Sequence, residues 1–316
     1  MKILVTGSNG MLGHDLIEVL KDNHELILTT SESLDITDKE HTINFIKEKN
    51  PDIVINSAAY TNVDGCEENV DLAFAVNGEG PKNLAMGCKE VNCPLVHVST
   101  DYVFNGKNTR PWLEDDEIGP ISVYGKSKLE GEIGIEETID KFFIIRTAWL
   151  YGVNGGNFPK TMLELAKTHP EITVVTDEVG CPTYTLDLAK AIGQLIETDY
   201  YGIYHITNSD SCSWFDFAKY IFEVADVDVK VVPVTASEFA RPAPRPSYSV
   251  LDNKKWIDNG FEPLRSYKGH TPSLRHAVPL PRPRASHSYD LAKSSLSHRK
   301  VIPITLESHP YHFAKS

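Results

Sequence analysis

A tyrosine and a lysine four residues apart, Tyr124 and Lys128, have the spacing of an acid–base pair on one face of a helix. A phenol with a pKa near 10 exchanges protons poorly at neutral pH, and a neighbouring ammonium lowers that pKa because it stabilises the phenolate. Tyr289 and Tyr311 also precede a lysine by four residues. Only Tyr124 follows a predicted strand closely enough to lie at the carboxyl edge of a sheet, where ligands bind. We therefore predict Tyr124 and Lys128 as catalytic residues.

The predicted strand before this pair ends in Ser99-Thr100-Asp101, which brings hydroxyl groups to the same edge of the sheet. We predict that the Thr100 hydroxyl hydrogen-bonds an oxygen of the substrate and so contributes to catalysis. The alternative is that this hydroxyl only caps the local turn.

Three glycines, Gly7, Gly10 and Gly13, follow the first predicted strand and open the first predicted helix. In this context one glycine allows a tight turn, one lets the backbone approach a pyrophosphate, and one allows close packing of helix on sheet. The helix N-terminus adds unpaired N–H groups and a partial positive charge. The sequence therefore predicts a dinucleotide-binding loop.

The end of the second predicted strand bears on the choice of cofactor. It reads Thr29-Thr30-Ser31 and has neither the acid that grips the ribose of NAD nor an arginine for the 2′-phosphate of NADP. Small hydroxyl side chains tolerate both forms, so we expect NADPH, with NADH as the alternative. Asp35 and Ile36 lie soon after and either line the adenine or form an ordinary turn.

The pattern of apolar and polar residues in the first half of the chain predicts the fold that positions these side chains. Short apolar runs alternate with amphipathic stretches, which indicates a doubly wound parallel α/β sheet of the Rossmann type. We predict a dinucleotide-binding domain over 1–150 and a smaller mixed α/β, mainly substrate-binding domain over 151–268, some of whose segments return to the first sheet. The runs interpreted as buried strands are 3–5, 26–28, 53–55, 95–98 and 142–145.

Composition excludes several classes of protein. The 316 residues include 31 Lys and Arg against 44 Asp and Glu, a net charge of -13 that disfavours binding to nucleic acid or anionic membranes. The five cysteines show neither disulfide nor zinc spacing, and no apolar run is long enough to span a bilayer. We expect a cytoplasmic protein without a metal site. The segment 269–316 is basic and rich in Pro, His and Ser, and we predict a disordered tail there.

Residues 1 to about 267 resemble the dTDP-4-dehydrorhamnose reductases, a family of extended short-chain dehydrogenases. The string Ser-Thr-Asp-Tyr-Val-Phe at 99–104 distinguishes this group from most sugar-nucleotide epimerases. The resemblance implies reduction of the 4-keto group of dTDP-4-dehydro-β-L-rhamnose to dTDP-β-L-rhamnose by NADPH or NADH. The similar segments are 56–64, 98–104, 123–132, 145–152, 157–162, 177–183 and 245–251.

The resemblance also implies roles at positions that match the family's motifs. Residues implied to contact the cofactor, besides the loop glycines, are Met11, Leu12, Asp35, Ile36, Ala59, Tyr60, Thr61, Tyr124 and Lys128. Residues implied to contact the substrate are Thr100, Asp101 and Trp149.

Two other functions stay open on the same fold. One is a sugar-nucleotide epimerase or dehydratase, which would keep NAD bound through its cycle. The other is the non-catalytic regulatory subunit of methionine adenosyltransferase, which is related to these reductases. A homodimer is a candidate assembly. The sequence departs from the family after residue 268, where a final helix is expected and Gly269-His270-Thr271-Pro272 would break it.

Overall fold

The structure, a computed structural model, describes residues 1–270, so that all but the first two residues of the predicted tail lie outside the described residues. The described strands are β1 (Lys2–Thr6), β2 (Glu25–Leu28), β3 (Ile53–Asn56), β4 (Leu95–Thr100), β5 (Phe142–Thr147), β6 (Leu150–Tyr151), β7 (Glu171–Val175), β8 (Val179–Gly180), β9 (Thr183–Tyr184), β10 (Gly202–His205), β11 (Cys212–Ser213) and β12 (Lys230–Val234).

The described α-helices include three short ones, α3, α4 and α10, of six, five and five residues. They are α1 (Met11–Leu20), α2 (Lys39–Lys49), α3 (Val63–Glu68), α4 (Val70–Phe74), α5 (Gly80–Val91), α6 (Val123–Glu136), α7 (Phe158–Ala166), α8 (Thr185–Leu195), α9 (Trp214–Ala225) and α10 (Lys254–Asp258). A π-helical segment, Ala75–Glu79, joins α4 to α5, and 3-10 turns cover Asp101–Val103 and Tyr267–His270.

Six strands form one parallel sheet in the order β10-β5-β4-β3-β1-β2, which confirms the predicted fold class. The chain runs outward from β1 to β2 and then reverses through β3, β4 and β5. The reversal opens a crevice at the carboxyl ends of β1 and β3, which is where doubly wound sheets bind ligands. The glycine loop and the residues after β3 and β4 therefore meet at one edge.

Both faces of this sheet are covered, as the apolar runs predict. Ile3 and Val5 of β1 face a core that includes α1 and α8, whereas Leu4 faces the opposite core, which includes Ile46 of α2 and Leu84 of α5. Alternate residues of one strand point to opposite faces, so a strand buried on both sides must be apolar throughout.

The residues after β5 contribute both to the main sheet and to a second lobe. Helix α8 and strand β10 belong to the main sheet and its core, while α7, α9 and the parallel pair β7–β12 build a second lobe around Phe158, Ile172 and Phe217. Helices α7 and α9 begin at side-chain caps, Asn157 and Ser213, which accept backbone N–H bonds. The domain boundary at residue 151 stays a prediction.

Candidate active site

The glycine loop has the shape that a pyrophosphate requires. Gly7 has a φ of 66°, and a Cβ placed on it would lie 2.7 Å from the backbone nitrogen of Ala58. A Cβ on Gly13 would lie 2.3 Å from the carbonyl oxygen of Gly7, so this glycine allows α1 to pack closely against the loop. Helix α1 begins at Met11 with Gly10 as its N-cap, which has no side chain to satisfy the first N–H groups. These donors fit a phosphate.

Leu12 and the residues after β2 contact the core and a local turn of the protein. Leu12 is buried in the core beneath the loop. The Asp35 carboxylate accepts bonds from the Thr37 backbone N–H (2.9 Å) and hydroxyl (2.8 Å), so the turn that the sequence left open as an alternative is present. The Ile36 side chain is buried against Gly80 at the start of α5. Its role beside an adenine stays a prediction.

Ala59, Tyr60 and Thr61 follow β3, and a residue that sequence reasoning missed holds them in place. Asn77 of the π-helical segment accepts the Tyr60 backbone N–H (2.8 Å) and donates to the Tyr60 carbonyl oxygen (3.0 Å). Its amide also donates to the Ser127 hydroxyl of α6 (3.1 Å). Asn77 is fully buried and ties the strand end to the helix of Tyr124. A π-helical turn has no period that would reveal this contact in the sequence.

Thr100 and Tyr124 come together as the sequence predicts. Tyr124 stands in the first turn of α6, which Ser122 caps by accepting the Gly125 N–H (3.1 Å). The Thr100 side chain at the end of β4 lies beside the Tyr124 phenol. The Thr100 hydroxyl also accepts the Tyr102 N–H (3.2 Å), so it caps the local turn as well as contacting Tyr124. The capping alternative is therefore present in the structure, and a contact between Thr100 and the substrate stays a prediction.

Lys128 lies one turn further along α6, but its amine points elsewhere. Its Nζ donates to the carbonyl oxygen of Val98 (2.7 Å) and lies 3.2 Å from Nε2 of His97. Burial raises the pKa of Tyr124 instead of the lowering that we expected from Lys128. Burial lowers the pKa of Lys128 to about 8. His97, which sequence reasoning missed, is thus the nearest titratable neighbour of the amine.

Asp101 lies beside this pair in a dry environment. It is 2% exposed, and its carboxylate accepts the Thr100 hydroxyl (3.0 Å). Burial raises its pKa to about 6. The side chain can therefore gain or lose a proton close to neutral pH.

Trp149 is positioned by the second lobe. Its backbone φ of 48° lies in the left-handed region, which is unusual for a large residue. Its ring stacks on Trp214 with centroids 3.4 Å apart, and Gly180 leaves the space that the indole fills. Strained backbone of this kind is found at binding sites.

Two arginines of the Pro-rich loop face the site and were missed by sequence reasoning, although they lie four apart in an acidic chain. Arg245 forms a bidentate pair with Asp64 of α3, at 2.9 and 3.0 Å. Arg241 is nine-tenths buried, but its nearest carboxylate, that of Glu178, is 4.0 Å away. Both guanidinium groups act electrostatically on Tyr102, whose ring meets that of Tyr124 edge-on at 5.4 Å. They place positive charge near Tyr102, which packs against Tyr124.

Within residues 1–270, none of the helices has the length and apolar character to cross a bilayer. The same residues contain no group of three or more His, Cys, Asp or Glu side chains arranged to hold a metal ion.

Comparison with known proteins places this site in a family. Residues 1–278 match the family model described as RmlD substrate binding domain. The dTDP-4-dehydrorhamnose reductase of Streptomyces griseus is 41% identical over 295 residues, 89% of this chain and 97% of that protein.

Two solved structures agree with this match. A dTDP-4-dehydrorhamnose reductase of Clostridium acetobutylicum is 49% identical with a TM-score of 0.84, covering 85% of this chain and 96% of its own. The reductase of Bacillus anthracis, solved in complex with NADP, is 42% identical with a TM-score of 0.84, covering 86% and 97%. This chain belongs to the dTDP-4-dehydrorhamnose reductase family.

Proposed function

We propose that this protein uses NADPH or NADH to reduce the 4-keto group of dTDP-4-dehydro-β-L-rhamnose, forming dTDP-β-L-rhamnose. The observation that supports it most directly is that Thr100, at the end of β4, and Tyr124, in the first turn of α6, lie side by side at the crevice edge. A phenol and a hydroxyl that lie side by side are suited to hydrogen-bond the same carbonyl oxygen of a substrate.

The glycine loop and its neighbours would hold the cofactor. The backbone N–H groups of Gly7 and Met11 would bind the pyrophosphate, and Gly10, whose own N–H donates to the Gly7 carbonyl oxygen (2.9 Å), would allow its close approach. The loop has no room for a side chain at Gly7. Gly13, Leu12, Asp35, Ile36, Ala59, Tyr60 and Thr61 complete the proposed binding residues. NADPH supplies the hydride that reduces the keto carbon.

Tyr124 would donate the proton that the reduced oxygen requires. Its raised pKa keeps the phenol protonated at neutral pH, and the protonated form is the one that donates. Thr100 would hold the same oxygen through its hydroxyl, and Lys128 would stabilise the phenolate that remains and contact the nicotinamide ribose. Asp101 would bind a sugar hydroxyl.

The second lobe would bind the rest of the substrate. Trp149 with Trp214 offers an aromatic surface for a planar base. Arg241, whose buried charge lacks a close partner, suits the diphosphate of a dTDP-sugar. Homodimer formation and a cytoplasmic location stay predictions.

The proposal is tested by following NADPH oxidation after addition of dTDP-4-dehydro-β-L-rhamnose. We expect Tyr124→Phe to lose at least about 100-fold in kcat, the usual contribution of a general acid, while NADPH still binds. Tyr200→Phe, at an exposed tyrosine, is the matched control and should retain activity. Unchanged turnover in Tyr124→Phe would contradict the proposal, as would a wild-type protein that binds NADPH but does not reduce this sugar.

A further inference from the structure

A buried chain of polar side chains runs beneath the site and ends at Lys128. The Thr6 hydroxyl of β1 donates to Oδ1 of Asn56 in β3 (2.6 Å), and Nδ2 of Asn56 lies 2.9 Å from Nδ1 of His97 in β4. Nε2 of His97 lies 3.2 Å from the Lys128 amine. All four residues are at most 1% exposed. The proposed mechanism uses only the last of them.

The orientation of Asn56 is fixed by the backbone. The Ala58 N–H donates to Oδ1 of Asn56 (3.1 Å), so the other end of the amide, which can only donate, must face His97. Nδ1 of His97 therefore accepts, and a neutral imidazole then carries its proton on Nε2. Burial lowers the pKa of His97 well below its usual value, so the ring is neutral.

This tautomer presents a donor to Lys128. An ammonium has only donors, whereas a neutral amine has a lone pair that can accept the Nε2–H while it donates to Val98. Of the charged groups near the amine, Glu132 on the same helix favours the ammonium, but its carboxylate is occupied by Arg146 and Ser99. The hydrogen-bond pattern around Lys128 therefore fits the neutral form.

We propose that His97, oriented by Asn56, is a positioning residue that favours the neutral form of the Lys128 amine and holds it within the sheet until a nicotinamide dinucleotide binds. On binding, the amine leaves Nε2–H of His97, and each neutral amine takes up one proton from the solvent to become the ammonium that the ribose and Tyr124 require. The inference rests on the proposed function, because it assumes that Lys128 contacts the cofactor. It makes cofactor affinity decrease as the pH rises above about 8.

The isosteric substitution Asn56→Asp should exchange the donor and acceptor roles of the two His97 ring nitrogens. In Asn56→Asp the carboxylate still accepts from Ala58 and Thr6, but it also accepts from His97, so the proton moves to Nδ1 and Nε2 becomes an acceptor for an ammonium. Asn253→Asp makes the same chemical change at a distant asparagine whose amide bonds Thr207, and it serves as the control.

Titration calorimetry of the full chain with NADPH, in buffers of different ionisation enthalpy, measures the protons taken up on binding. At pH 8 and pH 9 the cofactor phosphates, whose second pKa is near 6, are already ionised. We expect the wild type and Asn253→Asp to take up about half a proton at pH 8 and about nine-tenths at pH 9, as a free amine with a pKa of about 8 requires. Asn56→Asp should take up less than about a fifth of a proton.

A second measurement uses only the wild-type protein, so it does not require that Asn56→Asp folds. Long-range ¹⁵N–¹H spectra of the histidine-labelled wild type report the tautomer of each ring, and we expect a neutral ring protonated on Nε2 for His97. A ring protonated on Nδ1, or NADPH binding without proton uptake at either pH, would overturn the inference and leave the reductase assignment standing. Failure to bind any NADPH would refute the proposed function itself, and the inference with it.

Discussion

Replacing Glu132 by glutamine removes one charge from a fully buried ion pair behind the site. Nε and Nη2 of Arg146 donate to the Glu132 carboxylate at 3.1 and 2.7 Å, and the Ser99 hydroxyl donates to the same group. The two side chains are 0% and 1% exposed, so no water can replace the lost charge. The substitution keeps the size of the side chain and one acceptor oxygen, and therefore isolates the electrostatic contribution.

The expected loss of stability is large. Removal of one partner from a buried pair costs about 3–5 kcal/mol, because the remaining charge stays desolvated without compensation. Glutamine retains one acceptor oxygen, so we expect the lower end, about 3 kcal/mol. Since the whole free energy of unfolding of a native protein is roughly 5–15 kcal/mol, this loss should be easily resolved.

Urea unfolding followed by far-UV circular dichroism measures the change. The matched control is Glu164→Gln, which breaks a pair with Lys167 whose side chains are 69% and 54% exposed. An exposed pair contributes less than about 1 kcal/mol, so the control should unfold almost as the wild type does. A loss below about 1 kcal/mol in Glu132→Gln, equal to that of the control, would refute the argument that burial amplifies this pair.

Two further predictions concern other buried side chains, one charged and one neutral. Arg241→Gln should raise KM for the sugar nucleotide about tenfold or more, the equivalent of one charge-assisted hydrogen bond, and leave NADPH affinity unchanged. The same change at the exposed Arg110 is the control and should alter neither quantity. A wild-type KM in Arg241→Gln would contradict the diphosphate assignment. Burial lowers the pKa of His205 from 6.5, its value in the unfolded chain, to about 3. The stability that the neutral ring contributes is therefore fully present above pH 6.5 and is lost as the pH falls from 6.5 toward 3. His205→Gln should therefore remove about 1.4 kcal/mol per pH unit from the slope of unfolding free energy between pH 6 and pH 5, and an unchanged slope in urea unfolding would exclude this residue as its source.

The local pattern of apolar residues was sufficient to predict the strands of the main sheet. The five predicted strands of the first half lie within β1 to β5. Strands that are buried on both faces, such as β1 and β3, must be apolar along most of their length, and this makes them visible in the sequence. The Tyr124/Lys128 spacing likewise predicts a helix, and both residues lie on α6. What this spacing could not predict is the direction of the Lys128 amine, which is set by His97 and Val98, about 30 residues earlier in the chain.

Contacts between distant segments account for the remaining misses. Arg245 and Asp64 are separated by 181 positions, and nothing near either residue in the sequence specifies the other. Asn77 is polar in a stretch that has no hydrophobic period, and only the fold shows that its amide bridges Tyr60 and Ser127. Buried polar side chains depend on such partners, so their roles appear only once the strands are in register.

The helix of Tyr124 shows why these distant contacts matter for chemistry. Gly131 near the middle of α6 weakens the helix by about 1 kcal/mol relative to alanine. A Cβ at this position would lie 2.2 Å from the carbonyl oxygen of Asn77, so the glycine is required for the close approach that lets Asn77 reach Ser127. One residue later, Glu132 anchors the same helix to β5 through Arg146. The position of Tyr124 over the crevice is therefore determined by tertiary contacts of α6 more than by its own helical propensity.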